Sequence, residues 1–139
     1  MAEAFNQLTT TSAVLGGFSF AFVGALLAVS NRNKPFKTTF IFTLAAATGF
    51  VLSSLGWSLI SVWLNSPLND STANELPAFI ITLHSPLSIS FLLSILFFFY
   101  TIGSNGWIVS KKLGYYSTLL AALVTIIAMF VVWPFLIIK

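Results

Sequence analysis

Four long stretches of this chain contain no Asp, Glu, Lys or Arg: residues 11–29, 38–64, 77–102 and 115–138. At about 1.5 Å of rise per residue, each is long enough as an α-helix to cross a hydrocarbon core of about 30 Å. In lipid every backbone N–H and C=O must be paired inside the protein, which leaves only helices and closed barrels. Barrel strands would show period-two alternation over segments of about ten residues, and no such pattern is visible. The sequence therefore predicts an all-α integral membrane protein. Residues 1–139 read as a single domain in which four transmembrane helices form two helical hairpins in one bundle.

Composition excludes the main alternatives. Charged residues make up 6% of the 139 residues and hydrophobic residues 58%, whereas a soluble domain carries about 25% charge. An ordinary soluble enzyme or a disordered tail does not fit these values. The net charge of +3 rests on six cations and three anions, too few for the clustered phosphate contacts of a nucleic-acid footprint. With no cysteine, disulfides, thiolate metal sites and cysteine nucleophiles are ruled out.

The position of the charges is more informative than their sum. Arg32, Lys34 and Lys37 fall between the first two stretches, and Lys111 and Lys112 fall between the last two. The middle connection, residues 65–76, holds Asp70 and Glu75 and no cation. Four spans place the two basic turns on one side, which the positive-inside rule makes cytoplasmic. Both termini are then expected on the non-cytoplasmic side. That agrees with Glu3 and leaves Lys139 as a dissenting charge. The cations follow the first stretch rather than precede it, so it reads as a retained helix and not a signal peptide. Trp63, Trp107, Tyr115, Tyr116 and Trp133 fall near the expected boundaries, where amphipathic rings sit at headgroup level.

Small residues mark candidate packing faces. Ala13, Gly17, Ala21, Gly24 and Ala28 recur at steps of four and three, which aligns them on one face of the first helix. The second helix has a comparable row in Thr39, Thr43, Ala46, Gly49, Ser53 and Gly56. Such faces let backbones approach closely, as membrane helices must where lipid removes the hydrophobic incentive to associate. The expectation is a seam inside the first hairpin, with an oligomer contact or pore lining as the alternative. Phe18, Phe22, Leu26 and Leu27 are assigned to the outer surface. Serines at 53, 54, 58, 61, 85, 88, 90 and 94 are expected to return their hydrogen bonds to carbonyls one turn earlier.

His84 falls within an apolar stretch. Its imidazole could bond a neighbouring helix, act in proton transfer, or contact a pigment or other ligand, for example as the axial ligand of a chlorophyll. A bis-histidine haem would need a second histidine, and the chain has one. Structural hydrogen bonding is the simplest reading. Pro86, just beyond, either kinks a helix that began near Pro77 or opens a shorter helix capped by Ser85; the long helix is expected. Trp57 is expected deep in the bundle, on a neighbouring helix and within reach of a serine.

No nucleophile–base pair, metal-ligand cluster, phosphate loop or paired carboxylate is visible. The reading is a small non-enzymatic subunit or partner of a larger membrane complex, acting through its helix faces, with no cofactor predicted. Its partners are the lipid bilayer and other membrane subunits or further copies of itself. The competing reading is a homo-oligomeric channel or small-solute transporter.

Overall fold

Each apolar stretch is helical, and three of the four helices extend well beyond the polar residues expected to bound them. The computed structural model describes residues 2–30, 33–66 and 77–137. They form α1 (Ala2–Leu27), α2 (Lys34–Leu64), α3 (Ala78–Val109) and α4 (Lys111–Ile137). Three of these are long and apolar enough to cross a membrane, over Glu3–Leu27, Lys34–Leu64 and Ala78–Val109. Arg32, Asp70, Glu75 and Lys139 lie outside the described residues, as does the side chain of Trp133.

Capping chemistry explains the shifted boundaries. α1 starts nine residues earlier than its apolar stretch, with Glu3 in the first turn, where a carboxylate complements the helix dipole. The hydroxyls of Thr9 and Thr10 donate to the carbonyls of Phe5 and Asn6, at 2.9 and 3.0 Å, so these polar residues are absorbed into the helix. α2 starts at Lys34 rather than Thr38 because the Asn33 side chain accepts the Phe36 N–H at 3.0 Å and Pro35 stands in the first turn, where its missing N–H costs nothing.

The largest correction concerns the second basic turn. The basic connection expected over residues 103–112 is reduced to Ser110 alone, with extended backbone at φ −160° and ψ 157°. Its N–H donates to the Gly106 carbonyl at 3.1 Å to close α3. Its Oγ accepts the Leu113 N–H at 3.3 Å to open α4. Glycines that read as turn residues are instead packing residues. A Cβ on Gly103 would stand 3.1 Å from the Ala121 Cβ, one on Gly106 would strike the Leu113 backbone, and one on Gly114 would enter the Trp107 ring. At the other end α3 is continuous through Pro86, as the long-helix reading expected.

The two hairpins, α1–α2 and α3–α4, pack side by side through α2 and α3. Extensive packing joins α1 to α2, α2 to α3 and α3 to α4. Among the described residues α4 has no comparable packing against α1 or α2. The arrangement is an antiparallel row with α2 and α3 in the middle. Buried side chains follow 4-3 spacing along α2, through Thr39, Thr43, Ala46, Phe50, Ser53, Trp57 and Ile60. Phe50 is wholly enclosed and meets the rings of Phe91 and Phe98 edge-on at 6.0 and 6.2 Å. Trp57, Ile60, Ile80 and Leu87 form the core at the far end, flanked by Phe5 and Leu8.

The glycine contacts make a direct prediction. Gly106→Ala should lower stability by about 1–3 kcal/mol, the usual cost of overpacking, because the added carbon meets backbone that cannot swing aside. Gly17→Ala, with nothing within 4 Å of the new carbon, should be neutral or stabilising by up to about 1 kcal/mol through helix propensity. Thermal melting of the detergent-purified variants checks both.

Candidate functional site

The α2–α3 seam is built from residues that allow two backbones to touch. Gly49 leaves room for the Ser94 side chain, and Gly56 for Leu87; a Cβ at either glycine would collide with that neighbour. Ser53, between them, is fully buried and donates to the Gly49 carbonyl at 2.9 Å. Further along, the Thr39 hydroxyl donates to Ser104 Oγ at 2.8 Å. Thr43 donates to the Thr39 carbonyl at 2.7 Å, with Thr101 Oγ1 3.4 Å away across the seam. Thr101 and Ser94 in turn donate to carbonyls one turn back, those of Phe97 and Ser90. These hydroxyls spend their single protons on nearby acceptors within the seam. The arrangement binds helices together, although an inter-helix hydrogen bond in a membrane contributes only about 0.6 kcal/mol on average.

The seam expected on α1 lies one residue out of phase. Ala13, Gly17, Ala21, Gly24 and Ala28 are all exposed, and neither Gly17 nor Gly24 has anything within 4 Å of a would-be Cβ. The contact with α2 runs instead through Ser12, Gly16, Ser19 and Leu26, which are buried. A Cβ on Gly16 would stand 3.3 Å from that of Phe50. One residue is about 100° of rotation on a helix, so the small-residue stripe faces away from its own chain. Leu26, assigned to the outside, is 2% exposed. The inner face combines a gap at Gly16 for Phe50 with the small Ser12 and Ser19 and one bulky residue, Leu26.

His84 sits where α1, α2 and α3 meet. Its ring lies 5.4 Å from that of Trp57 and 6.5 Å from that of Phe5, edge-on to both, while Phe5 stacks on Trp57 at 5.5 Å. The histidine is exposed along its remaining surface. Ring contact thus takes the place of the expected hydrogen bond to a neighbouring helix. Trp57 packs on its neighbours as expected, but among the described residues its buried Nε1–H meets no serine and no other acceptor. Ser12 Oγ is likewise buried without a partner. On Ser61 the buried hydroxyl reaches Asn6 Oδ1 at 2.6 Å and ties the start of α1 to the end of α2.

The cations gather at the opposite end. Antiparallel packing brings the start of α2, the end of α3 and the start of α4 together, with the Thr39–Ser104 bond as a marker of their register. Lys34, Lys37, Lys111 and Lys112 are exposed there. Next to them Trp107 wedges between α3 and α4, where its Nε1–H donates to Thr118 Oγ1 at 2.9 Å. An open groove of about 480 Å³ runs from this point along the α3–α4 contact. Its floor is formed by Gly103 and Ala121.

No protein-family model matches the chain, and neither a curated protein nor a solved structure is significantly similar to it.

If His84 acts through its ring, His84→Phe should leave stability unchanged. His84→Asn, which keeps hydrogen-bonding ability but loses the ring, should cost about 0.5–1.5 kcal/mol, the added worth of an aromatic pair. Thermal unfolding in detergent distinguishes the two. The opposite ranking would assign His84 a hydrogen-bonding role.

Proposed function

We propose that this chain is a small, non-enzymatic, four-span membrane protein that serves as a subunit or partner of a larger membrane assembly. The observation that carries the reading is the open row of helices. Its first helix presents the outward stripe Ala13, Gly17, Ala21, Gly24 and Ala28, and its last presents exposed Leu119, Leu123, Ile126 and Phe130. Lipid can cover both faces, but a stripe of small residues gains most from a second helix backbone, which can approach it more closely than acyl chains can pack. Recognition through helix faces also suits a chain whose α1–α2 and α3–α4 turns are too short to form a soluble domain.

On this reading α4 is the fourth span. Its apolar residues continue to the end of the helix, and its antiparallel packing on α3 returns the chain across the bilayer. The basic turns face the cytoplasm and both termini lie on the other side, as the segregation of lysines from acids favours. In the competing reading, a homo-oligomeric channel or transporter, any path would run between copies, because the buried hydroxyls of Thr39, Thr43, Ser53, Ser94 and Thr101 are committed within one chain.

Two experiments test the proposal. Purification from native membranes in mild detergent should yield a heteromeric complex, and Gly17→Leu with Gly24→Leu should release this chain from it without lowering its own melting temperature. A homo-oligomer that gives selective flux in liposomes would decide for the channel. For orientation, a cysteine at Ala4 should react with an impermeant thiol reagent in intact cells, whereas cysteines at Ser30 or Val109 should react only after permeabilisation.

A further inference from the structure

The groove between α3 and α4 has the dimensions and the charge placement of a lipid site. Its floor is low because a Cβ on Gly103 would stand only 3.1 Å from that of Ala121. Its walls are high because Leu96, Phe99, Tyr100 and Trp107 stand along α3. From Leu96 to Trp107 it follows eleven residues of helix, about 17 Å at 1.5 Å per residue. That is close to half of a hydrocarbon core of about 30 Å, the depth of one leaflet. Its volume of about 480 Å³ falls within the range of about 300–1,000 Å³ typical of small-molecule sites.

The groove's polar lining is mostly satisfied. Thr118 accepts the Trp107 N–H, Thr125 donates to the Ala121 carbonyl, and Ser104 donates to the Thr101 carbonyl. The surface left for an occupant is chiefly apolar, with the Tyr100 hydroxyl on one wall. At the mouth the chemistry changes. Lys111 precedes Thr118 by seven residues, two helical turns, and so stands on the groove's side of α4. Across α3, Lys34 begins the side of α2 that continues through Thr38 to Phe42, whose ring meets Tyr100 at 4.5 Å. Neither basic turn contains an Asp or Glu over residues 28–37 or 103–114. An occupant with an apolar chain and a negative head matches each part of this surface.

We propose that the α3–α4 groove binds one acyl chain of an anionic glycerophospholipid, with its phosphate at Lys111 and Lys34 adding attraction from beside α3. The site rests on the four-span reading, since the groove meets a leaflet only if α4 crosses the membrane alongside α3. It is independent of any protein partner. Trp107, fixed to Thr118, lies at headgroup level between the phosphate and the chain.

The test uses the full chain in nanodiscs of phosphatidylcholine with one tenth phosphatidylglycerol, followed by native mass spectrometry of the phospholipid that survives detergent exchange. One phosphatidylglycerol per chain should be retained in preference to phosphatidylcholine. Lys111→Gln should reduce that preference about fivefold, the worth of one lysine near an anionic surface, while Lys112→Gln, about 100° further round α4 and off the groove's side, should leave it nearly intact. Ala122→Phe, which fills the groove, should abolish retention of either lipid; Ala122→Leu serves if the larger variant melts early. Inorganic phosphate at millimolar concentration should not displace the lipid, because it lacks the chain that fills the groove. Equal retention of both lipids, retention undiminished by a folded groove-filled variant, or displacement by phosphate alone would each overturn the site. Insertion is read separately. A chain that inserts but holds both lipids equally overturns only this inference, whereas one that fails to enter the nanodisc overturns the four-span reading and the lipid site with it.

Discussion

Close approach of α2 and α3 is the interaction on which the rest of this structure depends. Helices with apolar surfaces gain little hydrophobic free energy by leaving lipid for one another, so association must come from contact and from hydrogen bonds. Contact needs small residues, and the seam supplies Gly49 opposite Ser94 and Gly56 opposite Leu87. Hydrogen bonds need hydroxyls: Thr43 and Thr101 satisfy theirs on carbonyls of their own helix while facing each other across the seam, and Thr39 donates across it to Ser104. With that pair locked, α1 lies against the other side of α2, and α4 extends the row from α3.

The row explains why one chain can carry two different outward faces. In a closed bundle each helix would turn its small residues inward, and none would be left for another protein. Here α1 contacts only one full neighbour, so just one of its faces is used. The inner face is defined by what fits Phe50: a glycine at the point of contact and apolar or hydroxyl residues on either side. The neighbouring stripe, from Ala13 to Ala28, is freed by that choice. At the other end of the row, Gly103, Gly106 and Gly114 bring α4 onto α3 so closely that a single residue suffices to reverse the chain.

The polar groups inside the protein divide into two kinds. Most hydroxyls lie within reach of a carbonyl on their own helix and add little net energy, because the same bond is available before the helices meet. Trp57 Nε1 and Ser12 Oγ differ, since both are buried without an acceptor, at a cost of about 1–3 kcal/mol each. The Trp57 donor lies among aromatic rings, with Phe5 stacked over the indole and His84 against its edge. The burial of a large indole outweighs its one unmet donor.

Helix number, chain direction and the division of charge between two ends were legible in the sequence, because they follow from requirements that act on one segment at a time. A long uncharged stretch must pair its own backbone, and lysines flank the segments they cannot enter. The row on α2 was legible as well: Thr39, Gly49, Ser53 and Gly56 lie on the side of α2 that packs on its neighbours, while Ile41, Leu52, Leu55, Leu59 and Val62 are exposed. The phase of α1 was decided only by the tertiary structure. Its stripes one residue apart are each compatible with a helix contact, and the choice rests on the shape of α2 around Phe50. The ring contacts of His84 and the α3–α4 groove belong to the same class. Each arises from side chains far apart in sequence meeting at distances set by their neighbours' volumes, and no local pattern encodes that distance.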